Sequence, residues 1–407
     1  MKFYSAFLLI CVCAPLSATI NVKSFGAAGD GVTNDTTALN DAFQVGCATS
    51  QTVYIPTGVY LIDPLAVLTG CGTTFYGDGS SHSVLRFNST SSLNPNVVQS
   101  LWSFNAGSGK TLSINNIGLQ GNHGKLAGLA INNYSSVNIR SLYIINFGTA
   151  GYAQNHRSPF DGLYLINSGN VVINYTSSIG NERYGIELQA DHYSTVSNST
   201  MSGNGALGGV SEENYSGHLD GPKVAQWLSN TLANNGGGGI DVESAASLPP
   251  VQGTLKGNVV TDCGNNNWGY GWGLTLGLNA FGVIQNNEVD NFAAHATSTA
   301  YMNAIVYGAN GGTIQIANNT VKGTRTYGIL GNEGKYPVTI SGNTVHANGT
   351  GIFIYDSPGV QLFNNIVSNS IGAGIAVYWS DGGTISGNQY SANNPDLIID
   401  GTQVAAR

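Results

Sequence analysis

The chain has 407 residues and a formal net charge of −8, and only 9% of its residues are charged. Glycine is abundant (56) and proline is scarce (11), a composition that favours many short strands joined by turns over long helices. The negative balance and the lack of a basic patch disfavour nucleic acid as a partner and, more mildly, polyanionic ligands.

The first 18 residues have the pattern of a secretory signal peptide. Lys2 precedes an apolar run from Phe7 to Cys13, and Ala18 follows small residues of a cleavage site. The run is shorter than the ~20 apolar residues that cross a bilayer. We therefore expect an exported protein, secreted or periplasmic, that has no membrane segment and is a monomer.

Three cysteines remain after the signal peptide: Cys47, Cys71 and Cys263. Export would permit a bridge between Cys47 and Cys71, and the sequence leaves that pairing open. The cysteines lack the histidine spacing of a zinc site. We expect no cofactor, with calcium as the open alternative.

Residues 19–65 read as an entry segment that caps the fold. Asp35 precedes an amphipathic stretch at residues 36–44, which predicts a short helix with Asp35 as its N-cap. Residues 53–60 then predict a strand, a turn at Pro56 and a second strand.

This entry segment carries a family resemblance. The string VKSFGAAGDGVTNDTTALNDAF, followed by VYIPTGVYLI, resembles the entry segment of the pectate-lyase-like superfamily of right-handed parallel β-helices. Polygalacturonases, exo-glucanases, phage tailspikes and alginate epimerases share that segment. The resemblance implies a fold and leaves the reaction open.

From about residue 128 to residue 390 the chain repeats. An apolar-x-x-Asn-x-apolar pattern recurs with asparagine spacings of 28, 29, 32, 24, 22 and 23, and strands led by glycine recur beside it. Such a period indicates a solenoid, and the lack of a leucine grid or a helical period leaves a β-helix. We expect the repeated asparagines to stack into a ladder. They are Asn230, Asn258, Asn287, Asn319, Asn343, Asn365 and Asn388.

Together, the repeats and the resemblance predict the fold class. It is all-β, a single-stranded right-handed parallel β-helix (solenoid) with a short N-terminal capping helix. Nothing divides the solenoid, so residues 19–407 are expected to form one domain.

Two outward columns appear when the glycine-led strands are placed in register with period two. Acids gather in three consecutive coils, two of which, from Gly209 and from Gly239, take 30 and 34 residues against 22–24 for regular coils. The extra length predicts loops that wall a groove beside the acids. The columns are Tyr164, Glu187, Ser211, Asp241 and Thr275, and Ile166, Gln189, Glu213, Glu243 and Gly277.

The acids of these columns are the predicted catalytic residues. Asp241 and Glu243 lie ~6.6 Å apart along one strand, and Glu187 and Asp241 lie ~9.6 Å apart across two coils. Inverting glycosidases place their carboxyls ~6.5–9.5 Å apart. Asp241 and Glu243 are the first candidates and Glu187 and Glu213 the next, since crowding raises the pKa of one carboxyl and supplies a general acid.

Substrate-binding candidates surround these acids, because aromatic rings pack well on sugar faces. A solvated acidic face and a calcium site remain open for the acids, and loop packing remains open for the tryptophans. The candidates are Gln189, Arg183, Tyr215, His218, Trp268 and Trp272.

The resemblance also bears on the reaction. The paired-aspartate, Gly-His-Gly and Arg-x-Lys motifs of polygalacturonases are not present. The run from Tyr184 to Glu187 resembles the Tyr-Gly-Phe-Asp motif of alginate epimerases, with Gln189 where that family has histidine. Arg183 and Lys223 lie near enough to serve as the base of a lyase.

These observations predict a secreted polysaccharide-degrading enzyme, a glycoside hydrolase that uses paired carboxylates with inversion. The alternatives are a polysaccharide lyase or C5-epimerase that acts on a uronate polymer, and a non-catalytic glycan-binding solenoid.

Overall fold

A computed structural model of the chain describes residues 19–93, 99–107, 109–148, 160–189, 192–205, 208–214, 223–244, 247–264, 271–290, 302–346, 348–400 and 405–406. The predicted signal peptide, residues 1–18, lies outside these ranges.

The described residues form 42 short strands, one α-helix and one 3-10 helix. The 3-10 helix is Val22–Phe25 and the α-helix, α1, is Thr36–Thr49. The first fourteen strands are β1 (Ile20–Asn21), β2 (Asp30–Asn34), β3 (Val53–Ile55), β4 (Gly58–Ile62), β5 (Leu68–Thr69), β6 (Thr74–Gly77), β7 (Ser83–Phe87), β8 (Ser100–Asn105), β9 (Thr111–Asn115), β10 (Gly118–Gln120), β11 (Ala127–Asn132), β12 (Ser136–Arg140), β13 (Tyr143–Ile145) and β14 (Leu163–Ile166). The next fourteen are β15 (Asn170–Asn174), β16 (Ser177–Ile179), β17 (Tyr184–Gln189), β18 (Tyr193–Ser197), β19 (Thr200–Ser202), β20 (Gly208–Asn214), β21 (Lys223–Leu228), β22 (Thr231–Ala233), β23 (Gly238–Ser244), β24 (Val251–Lys256), β25 (Val259–Thr261), β26 (Gly271–Leu278), β27 (Ala280–Gln285) and β28 (Glu288–Asp290). The last fourteen are β29 (Met302–Tyr307), β30 (Ile314–Ala317), β31 (Thr320–Lys322), β32 (Tyr327–Asn332), β33 (Val338–Ser341), β34 (Thr344–His346), β35 (Thr350–Tyr355), β36 (Gln361–Phe363), β37 (Ile366–Ser368), β38 (Ile375–Tyr378), β39 (Thr384–Ser386), β40 (Gln389–Ser391), β41 (Leu397–Asp400) and β42 (Ala405–Ala406).

The strands stack into three long parallel sheets, which confirms the predicted β-helix. Sheet A has 15 strands from β1 to β42, sheet B has 14 from β2 to β40, and sheet C has 13 from β5 to β41. Each strand pairs with the strand about three elements later in the chain, so one coil contributes one strand to each sheet. The stacking begins at β1, well before residue 128.

The core fills the interior of the coils. Alternate residues of each strand point inward, and on β17 and β23 the residues Ile186, Leu188, Ile240 and Val242 are all fully buried. Their outward neighbours are thereby fixed on the opposite face of sheet C. This packing makes the outer face of sheet C a rigid platform.

The predicted asparagine ladder is confirmed. From Asn258 to Asn388, each Oδ1 accepts the backbone N–H and the side-chain Nδ2 of the ladder asparagine one coil earlier, at 2.8–3.0 Å. The residue before each ladder asparagine has a positive φ, for example Gly257 (67°) and Asn286 (57°). Glycine and asparagine tolerate that conformation, which explains their recurrence there.

A second ladder was missed by the sequence analysis. Asn181 donates from Nδ2 to Asn204 Oδ1 (2.9 Å), and Asn204 donates to Asn235 Oδ1 (3.1 Å). Asn235 then donates to the thiol sulfur of Cys263 at 3.7 Å. Cys263, which is buried and unbridged, thus occupies the next position of this ladder.

The entry segment differs from the prediction in two respects. The helix begins at Thr36 as expected but runs to Thr49, and the Asp35 side chain makes no capping hydrogen bond. Its carboxylate instead accepts the backbone N–H groups of Ala28 (2.6 Å) and Gly29 (3.0 Å). Asp35 therefore fixes the preceding loop against the helix.

A disulfide joins Cys47 on α1 to Cys71. It links the capping helix to the first coils of the solenoid. Within the described ranges, no helix has the length and apolar character needed to cross a bilayer.

Candidate functional site

The two predicted columns lie on sheet C in the predicted register. Ser211 on β20 pairs with Glu187 on one side and Asp241 on the other, and Asp241 pairs with Thr275. Glu213 likewise lies between Gln189 and Glu243, and Glu243 pairs with Gly277.

The acids of β23 project from the outer face of sheet C. Asp241 and Glu243 are partly exposed, while Ile240 and Val242 beside them are buried. Two carboxylates therefore stand on one rigid strand, two positions apart. This is the separation that the strand period requires.

Glu187 does not share this exposure. Its side chain is fully buried, whereas the sequence predicted an outward position beside a groove. Arg183, at the bend before β17, donates from Nη1 to Glu187 Oε2 (2.6 Å) and from Nη2 to Oε1 (3.1 Å). Asp161 from the preceding coil accepts from Arg183 Nη1 at 3.2 Å and from the backbone N–H of Tyr184 at 3.0 Å. Glu187 is thus held by an ion-pair cluster.

Gln189 and two tyrosines surround this cluster. Gln189 donates from Nε2 to Glu187 Oε1 at 2.8 Å, and its Oε1 accepts the Tyr164 hydroxyl at 3.2 Å. The Arg183 guanidinium carbon lies 4.6 Å from the centre of the Tyr184 ring. Gln189 and Arg183, which the sequence predicted to bind substrate, here fix the orientation of Glu187.

The electrostatics of the cluster favour a bound proton. Burial, together with the neighbouring Asp161 carboxylate, raises the pKa of Glu187 to about 8. Burial also raises the pKa of Asp161, against the opposing effect of the Arg183 guanidinium. Two carboxyl groups thus share one guanidinium, and at neutral pH the pair retains a proton.

Gly277, in register with Glu243, presents no side chain to this carboxylate. A Cβ atom placed on Gly277 would lie 3.1 Å from Thr275 Cγ2, 3.3 Å from Glu243 Oε2 and 3.6 Å from Glu243 Cβ. The missing side chain therefore keeps one side of this carboxylate clear. Thr275, in register with Asp241, is 3% exposed and closes the neighbouring position.

The remaining predicted residues are placed only in part. Trp272 is partly exposed at the start of β26, where it pairs with Gly238 and Asn303. Tyr215, His218 and Trp268 lie outside the described residues, as does the side chain of Glu213.

Sequence reasoning missed Asp161. The available signal was its position, because Asp161 immediately precedes Gly162 as Tyr184 precedes Gly185 in the next coil.

Within the part of the chain that the structure describes, no group of three or more His, Cys, Asp or Glu residues could hold a metal ion.

The fold is shared with several solved structures of low sequence identity. The A-module of the mannuronan C-5 epimerase AlgE4 from Azotobacter vinelandii has a TM-score of 0.54 at 14% identity, covering 96% of this chain and 100% of that one. The catalytic unit of the GH87 α-1,3-glucanase from Streptomyces thermodiastaticus has a TM-score of 0.53 at 15% identity, covering 95% and 69%. The pre-mature gene product 12 of bacteriophage phi29 has a TM-score of 0.57 at 18% identity, covering 95% and 51%.

Comparisons of sequence give a local match and two family matches. A stretch of 55 residues is 51% identical to the non-secreted LysM effector LysM19 of Penicillium expansum, which is 13% of this chain and only 4% of that protein. The family model described as a right-handed β-helix region matches residues 218–394. A second model matches residues 19–276, more than half of the chain, and the chain therefore belongs to the rhamnogalacturonase A/epimerase, pectate lyase-like family.

Proposed function

We propose that this chain is an exported enzyme that acts on a polysaccharide, and that it hydrolyses glycosidic bonds with inversion. The observation that carries the proposal is the pair of partly exposed carboxylates, Asp241 and Glu243, on one rigid strand of sheet C. A carbohydrate substrate is also in keeping with the family and with the α-1,3-glucanase that shares the fold.

The two carboxyl groups divide the reaction between them. Their Cα positions are ~6.6 Å apart along the strand, which suits an inverting separation of ~6.5–9.5 Å. Asp241 is assigned as the general acid, which protonates the glycosidic oxygen as its bond to the anomeric carbon breaks. Glu243 is assigned as the general base, which takes a proton from the water that attacks the opposite face.

The space beside Gly277 suits the role of Glu243. Because Gly277 places no side chain beside that carboxylate, we assign the position next to Oε2 to the attacking water. The cluster of Glu187, Arg183 and Asp161 is too buried to touch substrate, and we assign it the role of fixing the coil beneath the site.

Elimination or epimerisation of a uronate polymer is the second candidate. The Arg183 guanidinium above the Tyr184 ring favours it, because a cation beside a tyrosine suits abstraction of the proton next to a uronate carboxylate. Arg183 is, however, already bound to Glu187 and Asp161, and this occupation favours hydrolysis.

Export is supported by the disulfide. Disulfides form and persist in oxidising compartments, and the Cys47–Cys71 bridge joins α1 to the first coils of the solenoid. The predicted signal peptide at residues 1–18 agrees with this location.

The test is a product assay on a panel of polysaccharides. Hydrolysis would release new reducing ends without the absorbance of unsaturated uronates, whereas a lyase would give that absorbance and a binding protein would give neither product. Glu243→Gln and Asp241→Asn should each abolish turnover and retain the fold by circular dichroism. Asp290→Asn, on β28 of sheet B, is the matched control. Normal turnover in both sheet C variants would refute the assignment.

A further inference from the structure

A group of aromatic rings lies on the outer face of sheet C, beyond the candidate acids. The rings of Tyr327 and Phe353 stack with centroids 4.6 Å apart, and those of Phe353 and Tyr378 lie 5.6 Å apart. Tyr355 meets Trp379 edge to face at 5.0 Å, and Trp379 is 57% exposed. We call these five residues the aromatic strip.

The aromatic strip continues the columns of the candidate site. Sheet pairing runs from Asp241 to Thr275, Val306, Leu330 and then Phe353, so Phe353 belongs to the first outward column. At ~4.8 Å per coil, four coils separate Phe353 from Asp241 by ~19 Å along the helix axis. That distance exceeds the reach of a single sugar residue and corresponds to several sugar residues in a chain.

The described members of the two outward columns between the acids and the strip carry no charge. From Thr275 the first column continues through Val306, Leu330, Phe353 and Ala376. The second column contains Gly277, Asn332, Tyr355 and Tyr378. The described positions of these columns offer a polyanion no cation, and the chain as a whole is negative at −8. An uncharged ligand is therefore the one that this surface suits.

The rings themselves are available for contact. Tyr327, Phe353, Tyr355 and Tyr378 are each partly exposed, although residues of their size are commonly buried in a core. Partly exposed rings in a row offer flat apolar faces, on which the C–H surface of a sugar ring packs well.

We propose that the aromatic strip binds a neutral polysaccharide chain that runs along the helix axis from the acids of β23 toward the C-terminal coils. The proposal rests on the proposed function and extends it, because it names a neutral polymer as the substrate class. The strip is a distant binding subsite that selects long chains over short ones.

The experiment is affinity electrophoresis in native gels that contain a dissolved polysaccharide. Laminarin, galactomannan and xyloglucan serve as neutral polymers, and alginate and polygalacturonate as acidic ones. All proteins carry Glu243→Gln, so that the polymer stays intact. We expect at least one neutral polymer to retard the parent, and Phe353→Ala or Tyr378→Ala to weaken the apparent affinity about tenfold.

Tyr76→Ala is the matched control. Tyr76 stacks on Tyr54 with centroids 4.9 Å apart, but on sheet A, and its loss should leave retardation unchanged. Thermal melting shows whether each variant is folded, and Tyr378→Ala provides the result if Phe353→Ala does not fold.

Three outcomes would overturn the proposal: no retardation of the parent by any neutral polymer, retardation by the acidic polymers alone, or full retardation of the folded Phe353 and Tyr378 variants. Loss of binding in those variants together with an absence of hydrolysis in the unmutated protein would support the strip and reject the hydrolase. The two proposals therefore fail separately.

Discussion

Arg183 binds Glu187 through its two terminal guanidinium nitrogens, at 2.6 and 3.1 Å, and the carboxylate it holds is fully buried. The same guanidinium also binds Asp161 at 3.2 Å. One cation thus serves two buried carboxyl groups, and the surplus negative charge is relieved by a bound proton. This arrangement makes the stability of the coils around β17 depend on pH.

The first prediction concerns that pH dependence. The pKa of Glu187 is raised from 4.5 to about 8 in the folded protein. Between these values the folded state binds more protons than the unfolded state, so the free energy of unfolding falls as pH rises. Glu187→Gln imitates the protonated form, and we expect it to match the parent near pH 5 and to be more stable by a few kcal/mol near pH 8.

Urea unfolding at a series of pH values measures this difference. Glu333→Gln, at an exposed glutamate, is the control and should follow the parent at every pH. Parallel curves for the parent and Glu187→Gln would show that Glu187 does not titrate in this window.

The second prediction concerns the space beside Glu243. Gly277→Ala would place a methyl group 3.1 Å from Thr275 Cγ2 and 3.3 Å from Glu243 Oε2, contacts tight enough to displace the carboxylate or the attacking water. We expect kcat on the cleaved polysaccharide to fall at least about tenfold, since small misplacements at a reacting centre are costly. Little change in melting temperature should accompany it.

Gly308→Ala is the matched control, one coil further along sheet C. Its added Cβ would meet no atom closer than 3.6 Å, which is ordinary contact. Equal kcat for the two alanine variants would remove Gly277 from the catalytic argument.

The extent of sequence prediction differs between the fold and the site. The ladder asparagines and the glycine-led strands recur at one coil length, so their stacking and the register from Glu187 to Asp241 could be predicted. A repeat defines which residues are neighbours across coils, and the pairing of Ser211 with both acids confirms this.

The burial of Glu187 could not be predicted in the same way. Period two indicates the side of the strand on which a residue lies, but it does not indicate what packs over that residue. Arg183 lies in a bend and Asp161 lies 26 residues earlier than Glu187, and neither position belongs to the strand pattern. Cys263 likewise breaks the pattern of its ladder by residue type, while its position fits.

The third prediction concerns the asparagine ladder. Asn287 accepts two hydrogen bonds from Asn258, at 2.8 and 3.0 Å, and donates to Leu255 O and Asn319 Oδ1. Asn287→Ala would leave these buried partners without their bonds, at roughly 1–3 kcal/mol for each unsatisfied group. We expect a loss of at least about 3 kcal/mol in the free energy of unfolding.

Asn388→Ala tests whether burial causes that loss. Asn388 makes the same type of bonds to Asn365 and Leu362 but is half-buried near the end of the solenoid, where water can replace it. Its substitution should cost clearly less in chemical unfolding. Equal losses would show that the ladder acts through something other than buried hydrogen bonds.

The fourth prediction concerns the Cys47–Cys71 disulfide, which closes a loop with a sequence separation of 24. Removing a cross-link of this span frees the unfolded chain, and loop-closure entropy predicts a loss of about 3 kcal/mol. Because the bridge ties α1 to the first coils, we expect the entry segment to open before the rest of the solenoid. The double variant Cys47→Ala with Cys71→Ala should therefore be cut by protease first within α1, at a rate well above that of the parent.

Cys263→Ser keeps the bridge and alters only the end of the second ladder, so its cleavage pattern should remain that of the parent. Unchanged proteolysis of the entry segment in the double variant would show that packing of Leu39 and Phe43, both fully buried on α1, holds the helix without the bridge.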